Sequence, residues 1–201
     1  MSEPNNLIIV VSAPSGVGKT TVLQYLISQR QDLVISISAT TRKPRLGERD
    51  GVDYYFISEQ EFQSKIEKNE FIEYAKVHDS LYGTLRSELE RLLKSNKHII
   101  LELDVQGMRS IKKLYPNSIS VFMLPPSTTE MERRLRNRAT EPEEKIKIRM
   151  ERAIEEMKCR NEFDYNIVNY QVEQSAYDLN TIINAELLRP SRIRLDFEIT
   201  S

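Results

Sequence analysis

A single cysteine among 201 residues has nothing to pair with, so the chain can close no intramolecular disulfide. Histidine is as scarce. With only His78 and His98 beside Cys159 there is no zinc-ligand spacing, and Cys159 is expected to be a spectator. No stretch approaches the roughly 18 uninterrupted apolar residues of a membrane span. The opening residues, MSEPNN, have neither the basic nor the apolar region of a secretory signal, so a cytoplasmic location is expected. Charge of one sign is not in excess either: 29 basic against 30 acidic residues leave a net charge of −1. Nothing global therefore points to nucleic acid or a membrane surface as a partner. Internal repeats and low-complexity segments are missing too. What these absences leave is a chain long enough for one sizeable α/β body with lobes inserted into it.

What is present is organised around residues 8–21, IIVVSAPSGVGKTT. An unbroken apolar run, Leu7 to Val11, leads through a turn-rich loop into residues that open a helix. The loop matches the Walker A phosphate-binding pattern with Ala13 in place of the first glycine, followed by Pro14, Ser15, Gly16, Val17, Gly18, Lys19, Thr20 and Thr21. Glycines let consecutive backbone N–H groups converge on phosphate oxygens, and the helix N-terminus adds a favourable dipole. Lys19 is placed to reach the β- and γ-phosphates, and Thr20 to put its hydroxyl on Mg²⁺. The loop specifies a nucleoside triphosphate without specifying a reaction.

Further apolar runs at 34–37, 99–103, 119–124 and 165–168 are mostly followed by helical patterns, which predicts a parallel sheet covered on both faces. The first helix is expected from about Gly18 to Gln29. Residues 38–84 are too polar and turn-rich for core and read as an inserted lobe of short strands. Its helix is capped reciprocally by Ser58 and Glu61, and Thr84 is placed to cap the next helix, which buries Leu85, Leu89, Leu92 and Leu93. After Pro125-Pro126, capping boxes at Ser127/Glu130 and Thr140/Glu143 predict two short-linked charged helices over 127–157, either a mobile lid or a solvent-facing hairpin. The expected division is a P-loop core of 1–37, 85–126 and 158–188, a lobe of 38–84, a lid of 127–157 and an extension of 189–201. In the extension, Ile193, Leu195, Phe197 and Ile199 alternate with charged residues, the pattern of a half-buried strand.

Several spaced motifs carry a family likeness. Ser38-x-x-x-Arg42-x-x-Arg45, Gly47-Glu48-x-x-Gly51-x-Asp53-Tyr54, Phe71-Ile72-Glu73 and Tyr82-Gly83-Thr84 resemble the monophosphate lobe of the guanylate kinases, in order and spacing, over about residues 7–188. The sequence departs from the family pattern at Ala13, at Glu102 (usually aspartate) and at Ala139 (usually glycine). The resemblance implies a P-loop NTPase fold with a parallel sheet flanked by helices, an inserted monophosphate-binding lobe and a helical lid. It implies ATP-dependent phosphorylation of GMP, and of dGMP, in purine nucleotide metabolism.

The residues agree chemically. A monophosphate acceptor is a dianion that calls for fixed positive charge, and the planar forks of Arg42 and Arg45 suit its oxygens. Tyr54 and Tyr82 can donate hydroxyl hydrogens to the same phosphate, or serve as aromatic core of the lobe. Guanine shows N1–H and N2–H₂ donors beside an O6 acceptor. By the resemblance Glu73 accepts from both donors while Ser38 and Thr84 donate towards O6. Taken without the surrounding pattern, Glu73 reads as a surface acid at a strand end. Glu102 and Asp104 close a buried strand with two alternating acids, candidates for holding Mg²⁺ and positioning the acceptor; Asp104 reads equally as a helix cap. By the resemblance Arg134, Arg138 and Arg149 of the lid close over the donor phosphates and Asn169 contacts the donor adenine. Arg133, Arg136 and Arg152 have no such match and are expected to be solvated. Two other functions compete: a non-catalytic interaction module of the same fold, and a P-loop kinase with a different phosphorylated acceptor. The substrates expected are ATP and GMP, with neither nucleic acid nor membrane as partner and homo-oligomerisation left open.

Overall fold

The computed structural model describes residues 6–77, 79–138 and 143–193. Five strands, β1 (Ile8–Ser12), β2 (Leu33–Ile35), β7 (His98–Glu102), β8 (Ile119–Leu124) and β9 (Tyr165–Val168), form one sheet in the order β2-β7-β1-β8-β9, all neighbours parallel. β1 is central and buried along its whole length. Its alternation sorts the core in two. Leu7, Ile9 and Val11 face helices α1 (Lys19–Gln29) and α7 (Val172–Leu187), while Ile8 and Val10 face α3 (Arg86–Leu93) and α4 (Val105–Leu114). Each such side chain contributes about 1.5–3 kcal/mol on burial, so the strand that delivers the phosphate loop is among the most firmly held parts of the chain.

A second sheet of four short strands, β3 (Ala39–Thr40), β4 (Tyr55–Phe56), β5 (Phe71–Val77) and β6 (Ser80–Leu85), has the order β4-β3-β6-β5. Phe62 of α2 (Glu59–Glu67) stacks on Phe71 with centroids 4.3 Å apart, giving this sheet its own small core. Glu61 N–H donates to Ser58 Oγ at 3.1 Å, but the Glu61 carboxylate turns to Lys65 at 3.9 Å rather than back to the cap. Thr84 does not cap the following helix. It lies inside β6, paired opposite Glu73, and Leu85 is the residue at the helix entrance, without a side-chain cap. Leu89 and Leu92 are buried in α3 as expected, with Leu85 and Leu93 partly so.

Helices α5 (Thr128–Arg138) and α6 (Glu143–Lys158) pack through Met131, Leu135 and Ala153, with Met150 and Met157 beside them. Ser127 Oγ accepts from Glu130 N–H at 3.1 Å, and Arg136 pairs across to Glu143, linking the two helices. The cap expected at Thr140 lies outside the described residues, as does the predicted strand beyond Ile193. No described helix is long and apolar enough to cross a membrane.

Candidate active site

The loop after β1 turns into α1 through two glycines with positive φ, Gly16 at 86° and Gly18 at 99°, a region that side chains disfavour. Space is short as well: a methyl on Gly16 would stand 2.9 Å from the Leu135 side chain of α5. The loop is braced from behind. Val17 C=O accepts from Asn169 Nδ2 at 2.7 Å and from Arg134 Nη1 at 2.9 Å, and Arg134 Nη2 also reaches Asn169 C=O at 3.1 Å. Asn169 is buried, its Oδ1 accepting from Ser175 Oγ at 2.8 Å. Its amide thus ties β9, α7 and the loop together. Arg149 of α6 donates to Ser15 Oγ.

Lys19 and Thr20 meet Glu102 at the end of β7. Lys19 Nζ is 3.7 Å from Glu102 Oε2 and 3.5 Å from Val11 C=O, and Thr20 Oγ1 donates to the same carboxylate oxygen at 3.5 Å. The Glu102 carboxylate reaches the loop in this way. Asp104 caps α4, its Oδ1 accepting from Gly107 N–H at 2.8 Å, and leaves Oδ2 for other work. Sequence reasoning passed over Glu156 of α6. Burial, with the charge of Asp104 adding, pushes its carboxyl up to about 7 against the pull of Lys19 and Arg152. In a helix rich in acids only the tertiary contact singles it out.

The lobe supplies the opposite wall. Arg42 lies with its guanidinium 5.3 Å from the Tyr54 ring centroid, donates to Tyr82 Oη at 3.2 Å and pairs with Glu48 at 2.8 Å. Glu48 also accepts from the Arg45 backbone N–H at 2.7 Å, so one acid holds the Arg42 side chain and the Arg45 backbone. The Tyr54 and Tyr82 rings meet edge-on at 6.1 Å. Burial, reinforced by the charge of Glu102, raises the Tyr54 hydroxyl, which keeps it a donor. Glu73 is no surface acid. Phe71, Glu73 and Ala75 share the buried face of β5, and Glu73 is 6% exposed, with Oε1 accepting from Thr84 Oγ1 at 2.6 Å. Burial lifts its carboxyl to about 7, Thr84 opposing and Asp104 adding to the rise.

One cleft of about 840 Å³ joins these parts. It is lined by the loop from Ala13 to Thr21, by Glu102, Asp104 and Asn169, by Arg45, Tyr54 and Tyr82 of the lobe, and by Arg134, Arg149, Arg152 and Glu156 of the lid helices. Arg152, expected to be merely solvated, therefore faces the site, whereas Arg133 and Arg136 are exposed and ion-paired to Glu130 and Glu132. Ser38, Arg42, Glu73 and Thr84 are not themselves lining residues of this cleft; Arg42 and Glu73 are bonded to Tyr82 and Thr84 respectively. The Arg138 side chain is outside the described residues.

The family model for guanylate kinase matches residues 5–186. The guanylate kinase of Rickettsia prowazekii is 47% identical over 180 residues, 90% of this chain and 91% of the relative. That of Clostridioides difficile is 42% identical over 194 residues, 96% and 95% of the two chains. The chain belongs to the guanylate kinase family. Its fold agrees: the crystal structure of guanylate kinase from Anaplasma phagocytophilum superposes with a TM-score of 0.78 at 31% identity, covering 93% of this chain and 89% of the other. As a guanylate kinase family member, it has the parallel sheet flanked by helices that its apolar runs predicted, with the loop at the carboxyl end of the central strand.

Proposed function

We propose that the chain transfers the γ-phosphoryl group of ATP to GMP, giving ADP and GDP, and accepts dGMP as well. The reading rests on one observation above others: the phosphate loop with Lys19 and Thr20 shares a single cleft with Arg45, Tyr54 and Tyr82. Triphosphate chemistry and a site suited to a second phosphate thus face one another.

In this reading the loop N–H groups and Lys19 hold the donor phosphates, and Lys19 leaves Glu102 to do so. Arg149 and Arg134, already bonded to the loop, neutralise charge as the phosphoryl group moves. Arg42, Arg45, Tyr54 and Tyr82 hold the acceptor phosphate. Its oxygen is already anionic, so no general base is needed and alignment is the main task. Glu73 as carboxylate accepts from guanine N1–H and N2–H₂, with Ser38 and Thr84 near O6. Adenine would leave that buried charge unpaired, a mismatch that discriminates strongly. The lid helices keep water from the γ-phosphate.

The donor set fits Mg²⁺. Thr20 Oγ1 and Glu102 Oε2 offer adjacent hard oxygens and Asp104 Oδ2 another. Mg²⁺ keeps several waters and is held partly by substrate phosphates, so a few protein oxygens are enough. When bound, it would neutralise charge between the β- and γ-phosphates. A cytoplasmic location belongs to the same reading.

Coupled assays of ADP release with GMP, dGMP, AMP, UMP and CMP test it. Turnover confined to GMP and dGMP is expected. Preference for another acceptor would replace GMP in the reading, and no turnover with any of them would favour a non-catalytic module.

A further inference from the structure

Helix α4 of the body meets strand β5 of the lobe at a place where the Glu73 side chain lies against a residue that has none. Glu73 Oε1 is fixed by Thr84, and Oε2 lies over the bare α-carbon of Gly107, the third residue of α4. A methyl there would stand 2.8 Å from Glu73 Oε2, 3.3 Å from its Cδ and 3.0 Å from Leu103 Cβ. The first distance is closer than such atoms approach.

Backbone geometry does not explain the glycine. Gly107 is not among the residues with positive φ, and glycine inside a helix is a poorer former than alanine. Capping does not explain it either, since the N–H that Asp104 receives would be present with almost any residue. Space is the remaining demand, and the group that needs it is the far end of the flexible Glu73 side chain. An added methyl would therefore move the carboxylate sooner than it would unfold the helix.

We propose that Gly107 is a positioning residue that determines base specificity: by lacking a side chain it seats the Glu73 carboxylate so that both oxygens face guanine. The inference rests on Glu73 being the guanine acceptor. Thr84 fixes one oxygen from the lobe and α4 limits the other from the body, and together they set the plane of the carboxylate. Two parallel N–H donors require both oxygens in that plane. A turned carboxylate keeps its charge and loses one of the two bonds.

The test compares GMP with IMP, which keeps N1–H and O6 but lacks the N2 amine. In Gly107→Ala the melting temperature should hold or rise and the KM for ATP should not change. The KM for GMP should rise at least tenfold, and the GMP-over-IMP ratio of kcat/KM should fall at least tenfold. Glu73→Asp, one methylene shorter, makes room for the methyl, so Gly107→Ala should have a much smaller effect in that background. An unchanged GMP-over-IMP ratio in Gly107→Ala would overturn the inference. So would an equal loss with both acceptors, with a lowered melting temperature, since that is structural damage alone. Glu73→Gln separates the two levels. If it leaves the ratio unmoved, the assignment of Glu73 fails and this inference with it; if it collapses the ratio while Gly107→Ala does not, only the role of Gly107 fails.

Discussion

In the proposed reading the phosphate loop of the donor wall is one contiguous stretch, residues 13–21, at the end of a fully buried strand, whereas the acceptor wall is gathered from short strands and loops over residues 38–84. On that reading the first would bind through backbone N–H groups and so depend on glycines and on struts such as Asn169, which holds the chain path at Val17, and the second through side chains. Those side chains are paired in advance: Arg42 with Glu48 and Tyr82, and Glu73 with Thr84. A wall of backbone donors recognises phosphate, which every nucleoside triphosphate has. A wall of ordered side chains can read a base. Changes to the donor wall should therefore depress kcat whatever the acceptor, and changes to the acceptor wall should alter KM and preference.

The largest effect expected is that of Lys19→Met, which should lower kcat by about 10³-fold or more while circular dichroism and melting remain close to the parent, because methionine keeps the apolar stem and removes only the charge that the proposed reading puts at the reacting phosphates. Full turnover in the folded variant would break the donor assignment. Next comes Arg149→Ala, with a loss of roughly 10²–10³-fold in kcat and a much smaller change in GMP KM. A pure KM effect on GMP would move Arg149 to the acceptor side.

The third concerns pH. The Glu73 carboxyl is lifted from 4.5 to about 7 by burial, so in the folded chain without GMP it is largely protonated at pH 6 and largely ionised at pH 8. In the proposed reading guanine needs the ionised form. GMP affinity should rise about tenfold between pH 6 and 8 beyond the change shared with Glu73→Gln. That variant subtracts the second ionisation of the GMP phosphate, near pH 6. The sign for folding is opposite. A carboxyl raised above its unfolded value favours the folded state at low pH, so its contribution is lost as pH rises from about 4.5 through 7. Calorimetric titrations showing the same pH dependence in both proteins would remove Glu73 from base recognition. The smallest effect is that of Ser58→Ala at the α2 cap, about 0.5–2 kcal/mol of stability by denaturant melting, with ATP kinetics unaltered.

The same contrast explains what the sequence made legible. A contiguous loop between an apolar run and a helix can be read directly, and each run of the parallel sheet stands within a residue or two of its strand. The acceptor residues are scattered, and only their resemblance to a family pattern gathers them. Glu73 shows why. In Phe71-Ile-Glu-Tyr-Ala75 the acid occupies an inward position of a period-two alternation, a signal for a buried carboxylate that is easily taken for a strand end. Thr84 fits a capping rule, but pairing with Glu73 across a bulge between Phe71 and Glu73 keeps it in the strand. Glu156 has no local signature, because its environment is made by Lys19 and Asp104, far away in the chain.

The central position of β1 also bears on how the chain is made. Ile8 pairs beside Ile99 and Ile9 beside Ile119, so β1 finds both of its neighbours only after residues 13–119 have followed it. At about 5–20 residues per second, that is several seconds or more during which an apolar IIVV segment has no partner on either edge. Distant parallel pairing is slow to form once the chain is free. The phosphate loop is then made well before it can acquire its shape, and the nascent chain is most exposed to aggregation where the finished molecule is most secure.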